Sequence, residues 1–157
     1  MSDIAVTLKV NGRDRTCHVP ADETLLETLR VRFGLTGAKR GCNQGVCGAC
    51  TVLIEGQPVR GCLSLSANCD GSAVTTIEGL AKGQVLAPIQ KAFAEAGAVQ
   101  CGFCSAGMML AATALVAEHP KATVDEIRAG LAGNLCRCSG YRKIVEAVLS
   151  VVTEAAP

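Results

Sequence analysis

The sequence predicts an α+β protein in two halves, a mixed β half followed by a helical half. Up to about Gly79, short stretches alternate apolar and polar residues and are separated by Asn-Gly and Glu-Gly turns. Beyond Gln84, each apolar stretch repeats at helical spacing and shows little β pattern. The composition shifts between Gly79 and Gln84, which divides the chain into residues 1–79 and 80–157.

In order along the chain, Ile4 to Val10 roughly alternates and ends in Asn11-Gly12, a hairpin turn signal, with Arg15 to Val19 as the returning strand. Thr24 to Phe33 has helical spacing, with Leu25, Leu26 and Leu29 on one side. Thr24 and Glu27 form a capping box ahead of it. Thr51 to Ile54 and Gln57 to Arg60 flank Glu55-Gly56 as a second hairpin, and Val74 to Ile77 is a short late strand. Four helices follow, over Val85 to Ala96, Ala106 to Glu118, Val124 to Leu131 and Tyr141 to Val152. Pro120 sits in the turn before the third, and Thr123 with Glu126 caps it.

Composition narrows the function. The 157 residues are 49% apolar, enough for a packed core. With 15 basic and 14 acidic residues there is no basic footprint for nucleic acid. Aromatics are 3% and Trp is absent, so a base-stacking platform is also excluded. No segment reaches the roughly 20 apolar residues of a membrane span. The N-terminal stretch lacks a basic start followed by an apolar run, so a cytoplasmic location is expected. Ten cysteines in a reducing compartment point to metal rather than disulfides.

Eight of those cysteines fall into two sets. The first is Cys42-x4-Cys47-x2-Cys50 with Cys62 eleven residues later, the plant-type spacing of a [2Fe–2S] site. Gly41, Gly45 and Gly48 line this loop; glycine lets backbone N–H groups approach cluster sulfurs. A structural zinc site is the rival, although zinc sites more often repeat the C-x2-C knuckle. Cys69 is the rival fourth ligand, and Cys62 is preferred because it directly follows the second hairpin. The second set is Cys101-x2-Cys104 and Cys136-x-Cys138, each pair expected at a helix end. Spacing alone leaves iron–sulfur and zinc both open here. A thioredoxin-like reading of Cys101 and Cys104 lacks the surrounding βαβ pattern. Cys17 and Cys69 read as ordinary small thiols, and His18 and His119 as surface residues too few and too far apart for a Rieske centre. Lys39, Arg40, Arg137, Arg142 and Lys143 lie beside cysteines, either as a solvated face or as cations offsetting cluster charge. No nucleophile–base set, phosphate loop or dinucleotide fingerprint is present, so the chain reads as a relay without a substrate-converting site.

Three segments, GCNQGVCGACTV (Gly41 to Val52), QCGFCSAGM (Gln100 to Met108) and AGNLCRCSGY (Ala132 to Tyr141), resemble the small iron–sulfur subunit of the molybdenum hydroxylases, the xanthine dehydrogenase, aldehyde oxidase and carbon monoxide dehydrogenase family. The likeness runs from Ile4 to about Val152. It implies a β-grasp ferredoxin-like domain followed by an all-α four-helix domain, each holding a [2Fe–2S] cluster. It implies ligands Cys42, Cys47, Cys50 and Cys62, then Cys101, Cys104, Cys136 and Cys138. It places Gln100 and Cys138 against the molybdopterin of a large subunit, and the first cluster toward FAD in a medium subunit or a cytochrome in its place. A heterotrimer or a dimer of heterotrimers is implied. The family commonly has Thr-Pro where this chain has Ser105-Ala106; the serine hydroxyl is expected to cap the helix. A free-standing ferredoxin is the alternative, and the apolar run Met108 to Ala117 leans against it by suggesting a covered face.

Overall fold

A computed structural model describes residues 3–155. The first half forms a five-stranded sheet in the order β2-β1-β5-β3-β4. Strands β1 (Ile4–Val10) and β2 (Arg13–Val19) make an antiparallel hairpin in which Ile4 faces Val19 and Val10 faces Arg13. Asn11 at φ +51° and Gly12 at φ +79° supply the positive dihedrals that a two-residue turn needs. The second hairpin, β3 (Thr51–Ile54) and β4 (Gln57–Arg60), turns at Glu55-Gly56 in the same way. Strand β5 (Ala73–Thr75) lies between the hairpins, parallel to β1 and antiparallel to β3. The expected strands are therefore present, with the first return strand starting two residues earlier and the last one shortened.

The stretch after β2 departs from an ordinary helix. One turn, α1 (Leu25–Glu27), opens with the expected Thr24–Glu27 capping box and then widens into a π-helical turn over Thr28–Arg32. Two contacts account for the widening. The Thr28 hydroxyl is buried against Glu23 and Ser66, each at 2.7 Å, while Leu25, Leu26 and Leu29 stay fully buried against the sheet. The extra residue in the turn keeps both contacts and swings Arg30 out, where it donates to the carbonyls of Thr36 at 2.8 Å and Ala38 at 2.7 Å. Those two bonds pin the start of the first cysteine loop.

The second half contains α2 (Pro88–Glu95), α3 (Ser105–Glu118), α4 (Val124–Leu131) and α5 (Arg142–Ala155). The first of these was expected from Val85. It begins at Pro88 because proline suits the first helical position, and the Ala87 amide donates to Gln90 Oε1 at 2.9 Å. The Ser105 cap is a correction: Cys104 occupies the capping position, Ser105 is already helical, and no side chain caps this helix. The apolar run Met108 to Ala117 is another. Met108, Leu110, Ala111 and Ala112 are buried, and Met108, Ala111 and Ala112 pack with Phe93, Ile127, Ile144 and Val148, so most of the run serves the chain's own core. A separate cluster built on Val6, Leu8, Leu25, Leu29, Val52 and Val74 lies between the sheet and the α1 turn.

At α4 the Thr123 hydroxyl accepts from the Glu126 amide while Glu126 Oε2 accepts from the Thr123 amide at 2.7 Å. Thr123→Ala is expected to cost about 1 kcal/mol, and thermal unfolding of the assembled protein should show the lower melting temperature. Among the described residues no helix is long and apolar enough to cross a membrane.

Candidate metal centres

The first cysteine set is assembled by one loop and one hairpin. The loop is closed by Lys39 N donating to Ala49 O at 2.9 Å. Inside it the Cys47 amide donates to Cys42 Sγ at 3.3 Å. Gly45 at φ +77° and Gly48 at φ +74° turn the chain where a side chain would be strained. Gly41 has no such dihedral, but a Cβ there would lie 2.8 Å from Cys47 Sγ. The hairpin supplies the rest. Because Thr51 is registered with Arg60, the residues just beyond each strand also meet, and Gly61 N donates to Cys50 O at 3.2 Å. Cys62 is thereby brought beside Cys50.

The second set comes from two turns far apart in sequence. Cys101 and Cys104 precede α3, as expected of a helix end. Cys136 and Cys138 do not sit at a helix end: they lie in the loop between α4 and α5, with Cys138 four residues short of Arg142. Cys138 Sγ is 3.3 Å from Cys101 Sγ, and Cys136 lies beside Cys104. The loop is held by Tyr141, whose hydroxyl accepts from the Cys136 amide at 2.8 Å, and by Ser139, whose hydroxyl donates to Cys136 Sγ at 3.1 Å.

Within the sets Cys138 Sγ touches Cys101 Sγ and the Cys47 amide donates to Cys42 Sγ, while Cys50 has Cys62 and Cys47 nearby and Cys104 has Cys136 and Cys101 nearby. Backbone N–H groups of Cys47 and Gln44 hold Cys42 down at about 6. Burial works against ionisation of Cys136, but the Ser139 hydroxyl and amide outweigh it and leave the thiol at about 7. The Phe103 amide lowers Cys101, whereas its hydrogen bond to Cys101 raises Cys138. Burial pushes Cys50 up to about 11 and Cys104 to about 12. Amide donors aimed at sulfur are the features that stabilise thiolates and bridging sulfides alike.

The remaining candidates are placed plainly. Cys69 is buried and its Sγ donates to Leu65 O at 3.3 Å; burial raises its pKa, as it does that of Cys17 in β2. His18 and His119 are exposed. Of the basic residues, Arg40 pairs with Glu27, Arg142 with Glu146, and Lys39 donates to the Gly37 carbonyl, so only Arg137 lines the cleft beside the thiols. Gln100, Cys101 and Cys138 are exposed on one face, beside Phe103, which is 45% exposed.

The two sets adjoin. A cleft of about 300 Å³ is lined by Cys47 from the first and by Cys101, Cys104 and Cys136 from the second. The Leu135 amide, next to Cys136, donates to the Cys47 carbonyl at 2.8 Å. The outer side of the first set carries two exposed apolar residues, Val46 at 58% and Leu63 at 61%.

Sequence analysis missed Asn134 and Arg60, which join the halves at this point. The available signal was an amide side chain two residues ahead of Cys136 inside an otherwise small and apolar stretch.

Two protein-family models match the chain. A 2Fe-2S iron-sulfur cluster binding domain covers residues 8–87, and a [2Fe-2S] binding domain covers residues 76–149. The chain is 51% identical to the nicotine 6-hydroxylase small subunit of Paenarthrobacter nicotinovorans, over 93% of this chain and 88% of that one. It is 47% identical to the xanthine dehydrogenase iron-sulfur-binding subunit of Escherichia coli O157:H7, over 93% and 92%. The crystal structure of quinoline 2-oxidoreductase from Pseudomonas putida 86 contains a chain that superposes with a TM-score of 0.94 at 42% identity, covering 99% of this chain and 97% of that one. Fold and thiol sets together define an iron–sulfur electron-transfer protein with two [2Fe–2S]-binding domains. The chain belongs to the small iron–sulfur subunits of the molybdenum hydroxylases. It is an electron-transfer subunit of an oxidoreductase complex and not a free-standing ferredoxin.

Proposed function

We propose that this chain carries electrons singly from a molybdopterin-bearing large subunit, through the second cysteine set and then the first, to FAD in a medium subunit. A cytochrome in place of that subunit is the variant of this scheme. Cys42, Cys47, Cys50 and Cys62 would hold the first cluster, and Cys101, Cys104, Cys136 and Cys138 the second. The donor chemistry fits: each set supplies four thiols, the number a two-iron cluster takes, and the cluster-binding family models span both sets. Zinc would take all four around one ion. When bound, each cluster accepts and releases one electron.

The observation that carries the reading is the hydrogen bond from Leu135 N to Cys47 O at 2.8 Å. It joins a first-set cysteine to the neighbour of a second-set cysteine through a few backbone atoms, while each set keeps one exposed side. Gln100 and Cys138, beside exposed Phe103, face the large subunit and touch the pterin. Val46 and Leu63 sit on the side of the acceptor. The backbone amides of Cys47, Gln44 and Phe103 orient and stabilise the sulfurs, and Tyr141 and Ser139 hold the Cys136 loop.

Residues 1–79 form a β-grasp ferredoxin-like domain and residues 80–157 a four-helix domain. The two separate cores support this, the first built on residues up to Val74 and the second from Ile89 onward. The assembly is a heterotrimer or a dimer of heterotrimers in the cytoplasm, a setting supported by eight cysteines grouped at metal-ligand spacing.

The chain purified with its partners is expected to carry about four irons, to be red-brown, and to give two distinct EPR signals on reduction. Zinc in place of iron, or one signal with half the iron, overturns the assignment.

A further inference from the structure

We infer that the Gly48 carbonyl is the junction that sets the spacing between the two clusters, with Asn134, Thr51 and Arg60 as its positioning residues; this rests on the two-cluster reading above. Gly48 directly follows Cys47 and lies two residues before Cys50. Its carbonyl oxygen accepts from Thr51 N at 3.0 Å, from Thr51 Oγ1 at 2.7 Å and from Asn134 Nδ2 at 3.1 Å. Asn134 lies two residues before Cys136, is 3% exposed, and directs its second amide hydrogen to Thr51 Oγ1 at 3.1 Å. Arg60 completes the set. Its Nη1 donates to Thr51 Oγ1 at 2.7 Å and its Nη2 to Gly133 O at 2.6 Å.

The Thr51 hydroxyl is fully used: it donates once and accepts twice, which is all a hydroxyl can do. The network draws members from both halves of the chain, and every member lies within three residues of a cysteine in one of the two sets. Two glycines let the halves close on it. A Cβ at Gly48 would lie 2.6 Å from Gly133 O, and one at Gly107 would collide with Gly48 O. Buried, satisfied networks of this kind specify one arrangement rather than merely adding stability.

The position of Asn134 makes the idea testable. In Asn134→Ala the Gly48 carbonyl keeps both Thr51 donors, so the first loop loses no obligatory partner. What disappears is the Asn134 tie between the halves, while Arg60 still donates to Gly133 O and Leu135 N to Cys47 O. The intact complex carrying Asn134→Ala should retain about four irons and both EPR signals. Dipolar coupling between the two reduced clusters, read by EPR, should weaken. Electron arrival at the first cluster should be slower than in the unsubstituted complex. Thr51→Val should behave alike, and Thr51→Ser, which keeps the hydroxyl, should restore both readings; this pair decides if Asn134→Ala fails to assemble. A lower melting temperature with unchanged coupling and unchanged rate in the variants overturns the proposal and leaves the network a structural one. Missing iron or a missing signal in the unsubstituted complex would instead count against the two-cluster reading.

Discussion

Cys62→Ser is expected to cut the iron content from about four to about two per chain and to abolish one EPR signal, whereas Cys69→Ser should keep both signals and the full iron complement. The two cysteines are seven residues apart, both buried, and equally plausible by count. Geometry separates them. Cys62 is carried by the β3–β4 hairpin, whose Thr51–Arg60 register brings it against Cys50. Cys69 ends a short 3-10 turn, Ser66–Cys69, packs into the sheet core and hydrogen-bonds the Leu65 carbonyl. Serine at 69 leaves that carbonyl a hydroxyl donor, so a small loss of stability is the expected cost there. Serine at 62 offers iron a poorer ligand and leaves Cys50 without its partner. Loss of a signal in the Cys69 variant with none lost at Cys62 would reverse the assignment of the fourth ligand.

The features legible from sequence are those whose causes are local. Asn11-Gly12 and Glu55-Gly56 announce hairpins because only a few residue types accept positive φ at both turn positions. Thr24–Glu27 and Thr123–Glu126 announce helix starts because each box is closed within four residues. The Cys42–Cys47–Cys50 spacing is legible for the same reason: one loop makes the site. The second set was not readable from spacing alone. Cys101 and Cys138 meet only because α3 and α4 fold back on each other, and that depends on packing around Met108, Ile127 and Leu131. The π-helical turn at Thr28–Arg32 also escaped notice, since it answers to Ser66, thirty-eight residues away. Asn134 escaped for a similar reason, its partner Gly48 being eighty-six residues distant. The apolar run of α3 is only partly a surface feature: Met108, Leu110, Ala111 and Ala112 are buried in the chain, whereas Thr113 to Val116 are half-buried.

Gly107→Ala should destabilise the chain even though it replaces glycine by alanine inside a helix. Propensity alone predicts a gain of about 1 kcal/mol for such a change. At this position the new Cβ would come closer to Gly48 O than the 3.0 Å that real Cβ atoms keep, and the obstacle is a backbone carbonyl held by three donors. It cannot swing aside, so α3 must retreat from the first cysteine loop. Overpacking of this kind costs about 1–3 kcal/mol. With no soft neighbour to absorb it and with the Asn134 tie strained as well, the steric loss exceeds the propensity gain. The net loss, up to about 2 kcal/mol, corresponds to up to about 8 °C in melting temperature for a chain of this size. Gly130→Ala in α4 is the matched control. There the added Cβ meets the methyl ends of Leu115 at 2.9 Å, atoms at the far end of a flexible side chain. Leu115 can rotate away, so the propensity gain should survive at least in part and the melting temperature should hold or rise. A Gly107 variant as stable as the Gly130 one would show that the two halves are not pressed together at Gly48.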